Sequence, residues 1–176
     1  MPPITALLHT ANDALRLGRT LELLLPCSEI VIVDHASIDA TRRIAREYGA
    51  RVIDSNSKAS NIVASNIVAS NIHPAADHYL DLPRHDWILC LQPGESITEN
   101  LQASLFEWSS LPRDAVAGSI AFSAFVREQT GDRWQELPTP ETRLIPRTWT
   151  RWHQRLPAPE PSAVPLEGRL LRFALP

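Results

Sequence analysis

A chain of 176 residues, 44% apolar and 21% charged, can build one hydrophobic core and is too evenly composed for a disordered or fibrous protein. Its formal charge of −3 excludes a general attraction to nucleic acid or anionic lipid, since both select a strongly basic face. No apolar run approaches the roughly 20 residues of a membrane span, and the amino terminus lacks a leader's basic stretch followed by an apolar one.

Ile4-Thr5-Ala6-Leu7-Leu8 reads as a first strand, and from Asp13 onward Leu17, Leu21 and Leu24 recur at helical spacing until Pro26. Glu29-Ile30-Val31-Ile32-Val33 is β-branched and almost wholly apolar, as a strand covered on both faces requires. A second helix is expected after Ser37 or Asp39 as cap, burying Ala40, Ile44 and Tyr48 and ending at Gly49. Arg51-Val52-Ile53 begins a third strand. The β-α-β-α-β order predicts a doubly wound α/β sheet that binds ligands at the carboxyl ends of its strands, around Thr10 to Asn12 and Asp34 to Ser37.

Farther along, Ala59-Ser60-Asn61-Ile62-Val63 repeats through Ile72 with a period of five, which precesses around a helix and holds no single apolar stripe. It reads as a local, repeat-expanded helix or loop. His73, Asp77, His78, Asp81, His85 and Asp86 crowd the next segment, but the spacing of five between His73 and His78 suits a solvated loop better than a helical metal pair. Trp87-Ile88-Leu89-Cys90-Leu91 is another buried strand. Thr98 caps a helix carrying Leu101, Leu105 and Trp108 before Pro112, and Ala117 to Val126 is strand-like, part of a mixed sheet. Prolines cluster from Pro138 onward and predict irregular connections. Cys27 and Cys90 stand apart beside apolar neighbours, which predicts buried free thiols and suits a cytoplasmic protein.

Three stretches carry a resemblance in order: Leu8-His9-Thr10-Ala11-Asn12, Val31 to Thr41, and Asp86 to Glu95 with Gln92-Pro93-Gly94 inside it. They resemble signature segments of family-2 nucleotide-sugar glycosyltransferases. Gly131-Asp132-Arg133-Trp134, Arg143-Leu144-Ile145-Pro146-Arg147 and His153-Gln154-Arg155-Leu156 are similar to a subgroup acting on lipopolysaccharide cores. The resemblance implies a GT-A fold, a Rossmann-like three-layer α/β/α arrangement with a mostly parallel central sheet. It also implies a single domain, with residues 1–96 as a nucleotide-binding half and 97–176 as an acceptor-side half that stops short of where relatives continue. The implied partners are a nucleotide-sugar donor and a saccharide or lipid-linked acceptor.

By the same resemblance His9, Thr10, Asn12, Asp34, His35 and Ser37 lie around the nucleotide. A divalent Mg or Mn ion normally bridges the diphosphate and an Asp-x-Asp, but here Gln92-Pro93-Gly94 stands in that place and only Glu95 supplies a carboxylate. A single carboxylate is a poor Mg or Mn site, so no metal ligands are assigned, and two alternatives stay open: arginines in place of the metal, or a cryptic metal site. The family's His-Glu pair reads His153-Gln154, and a late histidine is Arg172. Arg143, Arg147 and Arg172 are candidate phosphate clamps in place of a metal. Glu95, Glu128 and Asp132, with Glu136 and Glu141, are the carboxylates available for catalysis, and the sequence does not choose among them. The alternative is a non-catalytic relative that keeps the fold as a binding or interaction module.

Overall fold

A computed structural model describes residues 2–55, 79–116 and 118–174. Strand β1 (Ile4–Thr10), helix α1 (Ala14–Glu22), β2 (Glu29–Asp34), α2 (Thr41–Glu47) and β3 (Arg51–Asp54) form the first half; β4 (Trp87–Leu91), β5 (Glu95–Ile97) and α3 (Glu99–Ser110) follow. The remainder is a one-turn α4 (Arg113–Val116), β6 (Phe122–Thr130), β7 (Arg133–Glu136), β8 (Glu141–Pro146), a small hairpin of β9 (Trp152–His153) and β10 (Leu156–Pro157), and β11 (Val164–Arg172).

The main sheet has the order β3-β2-β1-β4-β8-β6-β11-β5, with β7 paired to β6. It is parallel from β3 through β4, where the register aligns Leu8 with Ile32 and with Leu91. Beyond β4 it is mixed, because β8 runs antiparallel to both β4 and β6 while β11 is parallel to β6. The expected α/β, Rossmann-like class is observed, with the parallel pairing concentrated in the first half.

Side-chain alternation divides the core between the two faces of the sheet. Ala6, Leu8, Ile32 and Leu89 meet Leu17 and Leu21 of α1, Ala45 of α2 and Leu101, Leu105 and Trp108 of α3. On the other face Leu7, Val31, Val33, Ile88 and Cys90 meet Tyr79, Leu80 and Trp149. Right-handed crossovers explain the split. The two steps β1 to β2 to β3 move one way and place α1 and α2 on one face. Among the described residues that second face is covered by irregular chain and by Trp152 and Leu156 of the β9–β10 hairpin rather than by a helix.

Thr98 caps α3, accepting the Leu101 N–H at 3.3 Å, and Leu101, Leu105 and Trp108 are the residues this helix buries. The expected stripe of α2 is rotated by one residue. Thr41 and Ala45 are buried, Ile44 is half-buried, and Tyr48 lies 43% exposed. Asp39 explains the shift: it accepts the Thr41 N–H at 2.9 Å and the Ala14 N–H of α1 at 3.1 Å, tying both helix starts together. The nine-residue β11 runs through the proline-rich region that was expected to be irregular. Its register shifts between Pro165 and Arg169, where Gly168 adopts φ +93°. The pentad repeat and His73, Asp77 and His78 lie outside the described residues.

Candidate functional site

The strand order reverses between β1 and β4, and the carboxyl ends of two such strands frame the crevice where open α/β sheets bind ligands. A cavity of about 230 Å³ sits there, lined by His9, Asp13, Arg16, Leu91, Gln92, Pro93 and Arg155. A larger cleft of about 1130 Å³ adjoins it over β6, β8 and the β9–β10 hairpin, lined in part by Ser123, Glu128, Glu141, His153 and Arg172. Gln92 and Arg155 line both.

At the β1 and β2 ends the expected nucleotide residues come together, largely bound to one another. Asp34 is fully buried and accepts bonds from Thr10 Oγ1 at 3.0 Å, from the Ser37 N–H at 3.0 Å, and from the Ser37 hydroxyl and Arg42. Burial pushes its carboxyl upward, but the donors from Ser37, Arg42 and Thr10 outweigh it and hold it below the usual range. Asn12 accepts the Ile38 N–H at 2.9 Å and donates its own N–H to Ser37 Oγ at 2.8 Å. Asn12 and Ala36 both have positive φ, 60° and 57°, so the two loops are held in a conformation that non-glycine residues rarely adopt. Asp34 therefore braces the loops rather than presenting free oxygens.

His9 and His35 share a hydrogen bond, with His9 Nδ1 3.0 Å from His35 Nε2, and Tyr79 packs edge-on to both rings. One ring must donate and the other accept, which requires that the pair not be doubly protonated. Burial first, then the charges of His35 and Arg155, push His9 down to about 3. An unfolded histidine titrates near 6.5, so the unfolded chain takes up the proton first as pH falls. This contribution is intact above about pH 6.5 and is lost toward about pH 3, at no more than roughly 1.4 kcal/mol per pH unit. Denaturant midpoints measured across that window are expected to fall, and His9→Gln to flatten the decline. An equally steep decline in the variant would remove His9 as its source.

The Gln92-Pro93-Gly94-Glu95 segment is a tight turn. The Glu95 N–H donates to the Gln92 carbonyl at 3.1 Å, and Gly94 has φ +90° after Pro93, the signature of a type II turn. The Glu95 carboxylate folds back to accept the Gln92 N–H at 2.9 Å and receives Arg143 at 2.7 and 3.0 Å. Arg172 adds bonds at 3.2 and 3.0 Å.

Glu95 and Arg143 are buried, with side-chain exposures of 1% and 0%. Arg172 also meets Glu141 at 3.0 Å, and Glu128 at 3.5 Å. Burial raises the Glu141 carboxyl, but Arg143 and Arg172 prevail and lower it. A divalent ion needs several free oxygens, whereas Gln92 offers one amide oxygen and both Glu95 oxygens face guanidinium groups. Among the described residues no three His, Cys, Asp or Glu side chains gather to hold a metal. The turn does not fit a divalent cation.

The three expected clamps are thus placed differently from one another. Arg143 is locked inside the ion cluster, and Arg172 reaches the large cleft while bound to three carboxylates. Arg147 lies at the opposite end of β4, donating to the Leu80 carbonyl at 3.1 Å beside Trp87. Glu128 and Glu141 line the large cleft, whereas exposed Asp132 sits in the β6–β7 turn and lines neither cavity. Glu136 is paired with Arg169.

The residue the sequence reading missed is Arg155, exposed in the two-residue turn between β9 and β10. It forms no ion pair or hydrogen bond among the described residues, and it stands near enough to His9 and His35 for its charge to add to the burial that lowers their pKa values, and near enough to Tyr79 to oppose in part the burial that raises its own. The short turn between two strand-like pairs was the available signal.

No protein family matches the chain, and no curated protein does. Among solved structures, a mycobacterial protein aligns with a TM-score of 0.52 and 17% identity over 75% of this chain and 43% of its own. A glucosyl-3-phosphoglycerate synthase from Mycobacterium tuberculosis, in complex with Mn²⁺, UDP and glucosyl-3-phosphoglycerate, gives 0.48 and 16% over 74% and 45%. A mannosyl-3-phosphoglycerate synthase from Rubrobacter xylanophilus gives 0.49 and 21% over 72% and 39%. At these identities the likeness is one of fold, and this chain spans less than half the length of each. No helix among the described residues is long and apolar enough to cross a membrane.

Proposed function

We propose that this chain is glycosyltransferase-like, holding a nucleotide sugar across the ends of β1 and β4 and passing the sugar to a hydroxyl of an acceptor in the large cleft. The observation that carries this reading is that the two cavities meet at Gln92 and Arg155, so two substrates bound side by side would have their reacting atoms at one boundary. The three ordered sequence stretches support it, and residues 1–96 and 97–176 would serve as donor and acceptor halves. The large cleft suits a saccharide or lipid-linked glycan: the buried Ser123 hydroxyl lines it without a partner among the described residues. A cytoplasmic setting belongs to the same reading, because Cys27 and Cys90 are free and burial pushes each thiol to about 12, leaving them unreactive.

Glu128 is the base in this scheme. Its side chain is 43% exposed and its ion pair with Arg172 is long, at 3.5 Å, whereas Arg143 and Arg172 hold Glu95 and Glu141 at hydrogen-bond distance. As the acceptor oxygen bonds to the anomeric carbon, its proton passes to Glu128, and the bond from that carbon to the diphosphate breaks to release the nucleoside diphosphate. With UDP-, GDP- and ADP-sugars followed by mass spectrometry, Glu128→Gln is expected to slow turnover about 10²- to 10⁴-fold with donor affinity kept. Equal turnover in the variant would remove Glu128 from the role, and absence of nucleoside diphosphate binding would remove the whole reading. A second reading, a non-catalytic binding module, is favoured by the engagement of Glu95, Glu141 and Asp34 with arginines. It predicts nucleotide binding without turnover.

A further inference from the structure

We propose that Arg155 is the diphosphate-binding group of this cleft and that anion binding here needs no metal ion. The inference rests on the nucleotide-sugar reading for the identity of the ligand, and on separate observations for the mechanism of its recognition.

A diphosphate entering the switch-point cavity brings two or more negative charges into a space lined by the Asp13 carboxylate as well as by Leu91 and Pro93, and something must neutralise them. A divalent ion would require free carboxylate oxygens at the Gln92–Glu95 turn, and Glu95 has none to give. The remaining cations differ in what already occupies them. Arg16 is bound to Asp13 across one helical turn, and Arg172 to Glu95 and Glu141. Arg155 has no carboxylate partner among the described residues and lines both cavities, so its guanidinium can turn to a ligand without leaving a buried acid unpaired.

The local backbone supports this placement. The hairpin joins His153 to Leu156 through two residues, Gln154 and Arg155, and Gln154 carries φ 56°. Two-residue hairpins require positive φ, which glycine or asparagine normally supplies; a glutamine there stores strain. Leu156 and Trp152 anchor the hairpin on the core beneath the β4 strand, so that strain is held in a fixed frame and aims the next residue across the cleft. A guanidinium offers its donors in a rigid planar fork that matches phosphate oxygens, and it brings its charge without a coordination shell.

The test uses the full chain and inorganic pyrophosphate, with UDP, GDP and ADP in parallel, titrated by calorimetry in excess EDTA and again in Mn²⁺. Pyrophosphate is expected to bind in EDTA, Arg155→Ala to weaken it at least about tenfold, and Arg155→Lys to restore only part of the loss. The exposed position of Arg155 lets both variants keep the parent's denaturation midpoint, which separates loss of binding from loss of fold. Binding that appears only with Mn²⁺ overturns the inference while leaving the nucleotide-sugar reading in place. Pyrophosphate binding through Arg155 without affinity for any nucleotide or nucleotide sugar does the reverse. Unchanged affinity in Arg155→Ala, or no pyrophosphate binding in either condition, overturns the inference outright.

Discussion

Arg143→Met is expected to destabilise the fold by about 3–5 kcal/mol, the usual cost of removing one member of a buried ion pair. The side chains of Glu95 and Arg143 are 1% and 0% exposed, so water and salt cannot screen the charge that is left behind. In the variant Glu95 keeps Arg172, whose bonds at 3.2 and 3.0 Å engage one oxygen, while the other retains only the Gln92 N–H. A double variant, Glu95→Leu with Arg143→Met, is expected to recover part of the loss, because an apolar pair of similar size avoids stranding a single charge. Urea denaturation of the parent, the two single variants and the double variant measures this coupling. A loss under about 1 kcal/mol in Arg143→Met would mean that the cluster is wet and weak, as exposed pairs are.

The second large effect is steric. Gly168→Ala is expected to cost about 3 kcal/mol or more, combining overpacking with a left-handed backbone that alanine resists. A Cβ at Gly168 would stand 2.1 Å from the Leu101 nitrogen and 2.6 Å from its Cα, and both are backbone atoms of α3 that cannot swing aside. The helix start is fixed to this same bulge: the Thr98 N–H donates to the Arg169 carbonyl and the Arg169 N–H to Thr98 Oγ1, each at 3.0 Å. Gly131→Ala is the control, since φ is +60° there too but nothing lies within 4 Å, leaving only the backbone cost of about 1–2 kcal/mol. Thermal or urea midpoints of the two variants separate the clash from the conformational penalty. Equal losses would show that no close approach exists at Gly168.

The parallel half of the fold was legible because its residues obey simple periodicities. The strand around Val31 is apolar on both faces, and Leu101, Leu105 and Trp108 recur at helical spacing behind a threonine cap. β11 was hidden because Pro165 and Gly168 interrupt it, and a bulge absorbs the interruption in a way that only pairing with β6 reveals. The α2 stripe was misplaced by one residue because the helix starts at Thr41 with Ala40 at its N-cap, one residue beyond the later of the two caps considered.

Site residues were harder to read. An arginine inside a strand looks the same in sequence whether it faces solvent or a buried acid, so Arg143 could not be distinguished from Arg172. Arg155 was passed over in favour of its neighbour Gln154, although the two form one turn and Gln154 supplies the backbone bend that orients it.

The Gln92–Glu95 turn also constrains the engineering of this cleft. Placing aspartates at 92 and 94 would not by itself create a cation site. An aspartate at 94 would have to accept φ +90° with its Cβ 3.4 Å from Arg16 Cδ, and one at 92 would sit beside a carboxylate that already holds its own backbone N–H. Arg16 beside position 94, and Arg143 and Arg172 on Glu95, are positive charges of the protein itself that would compete with a cation for the new acids. A cation site at this turn would therefore need several changes at once.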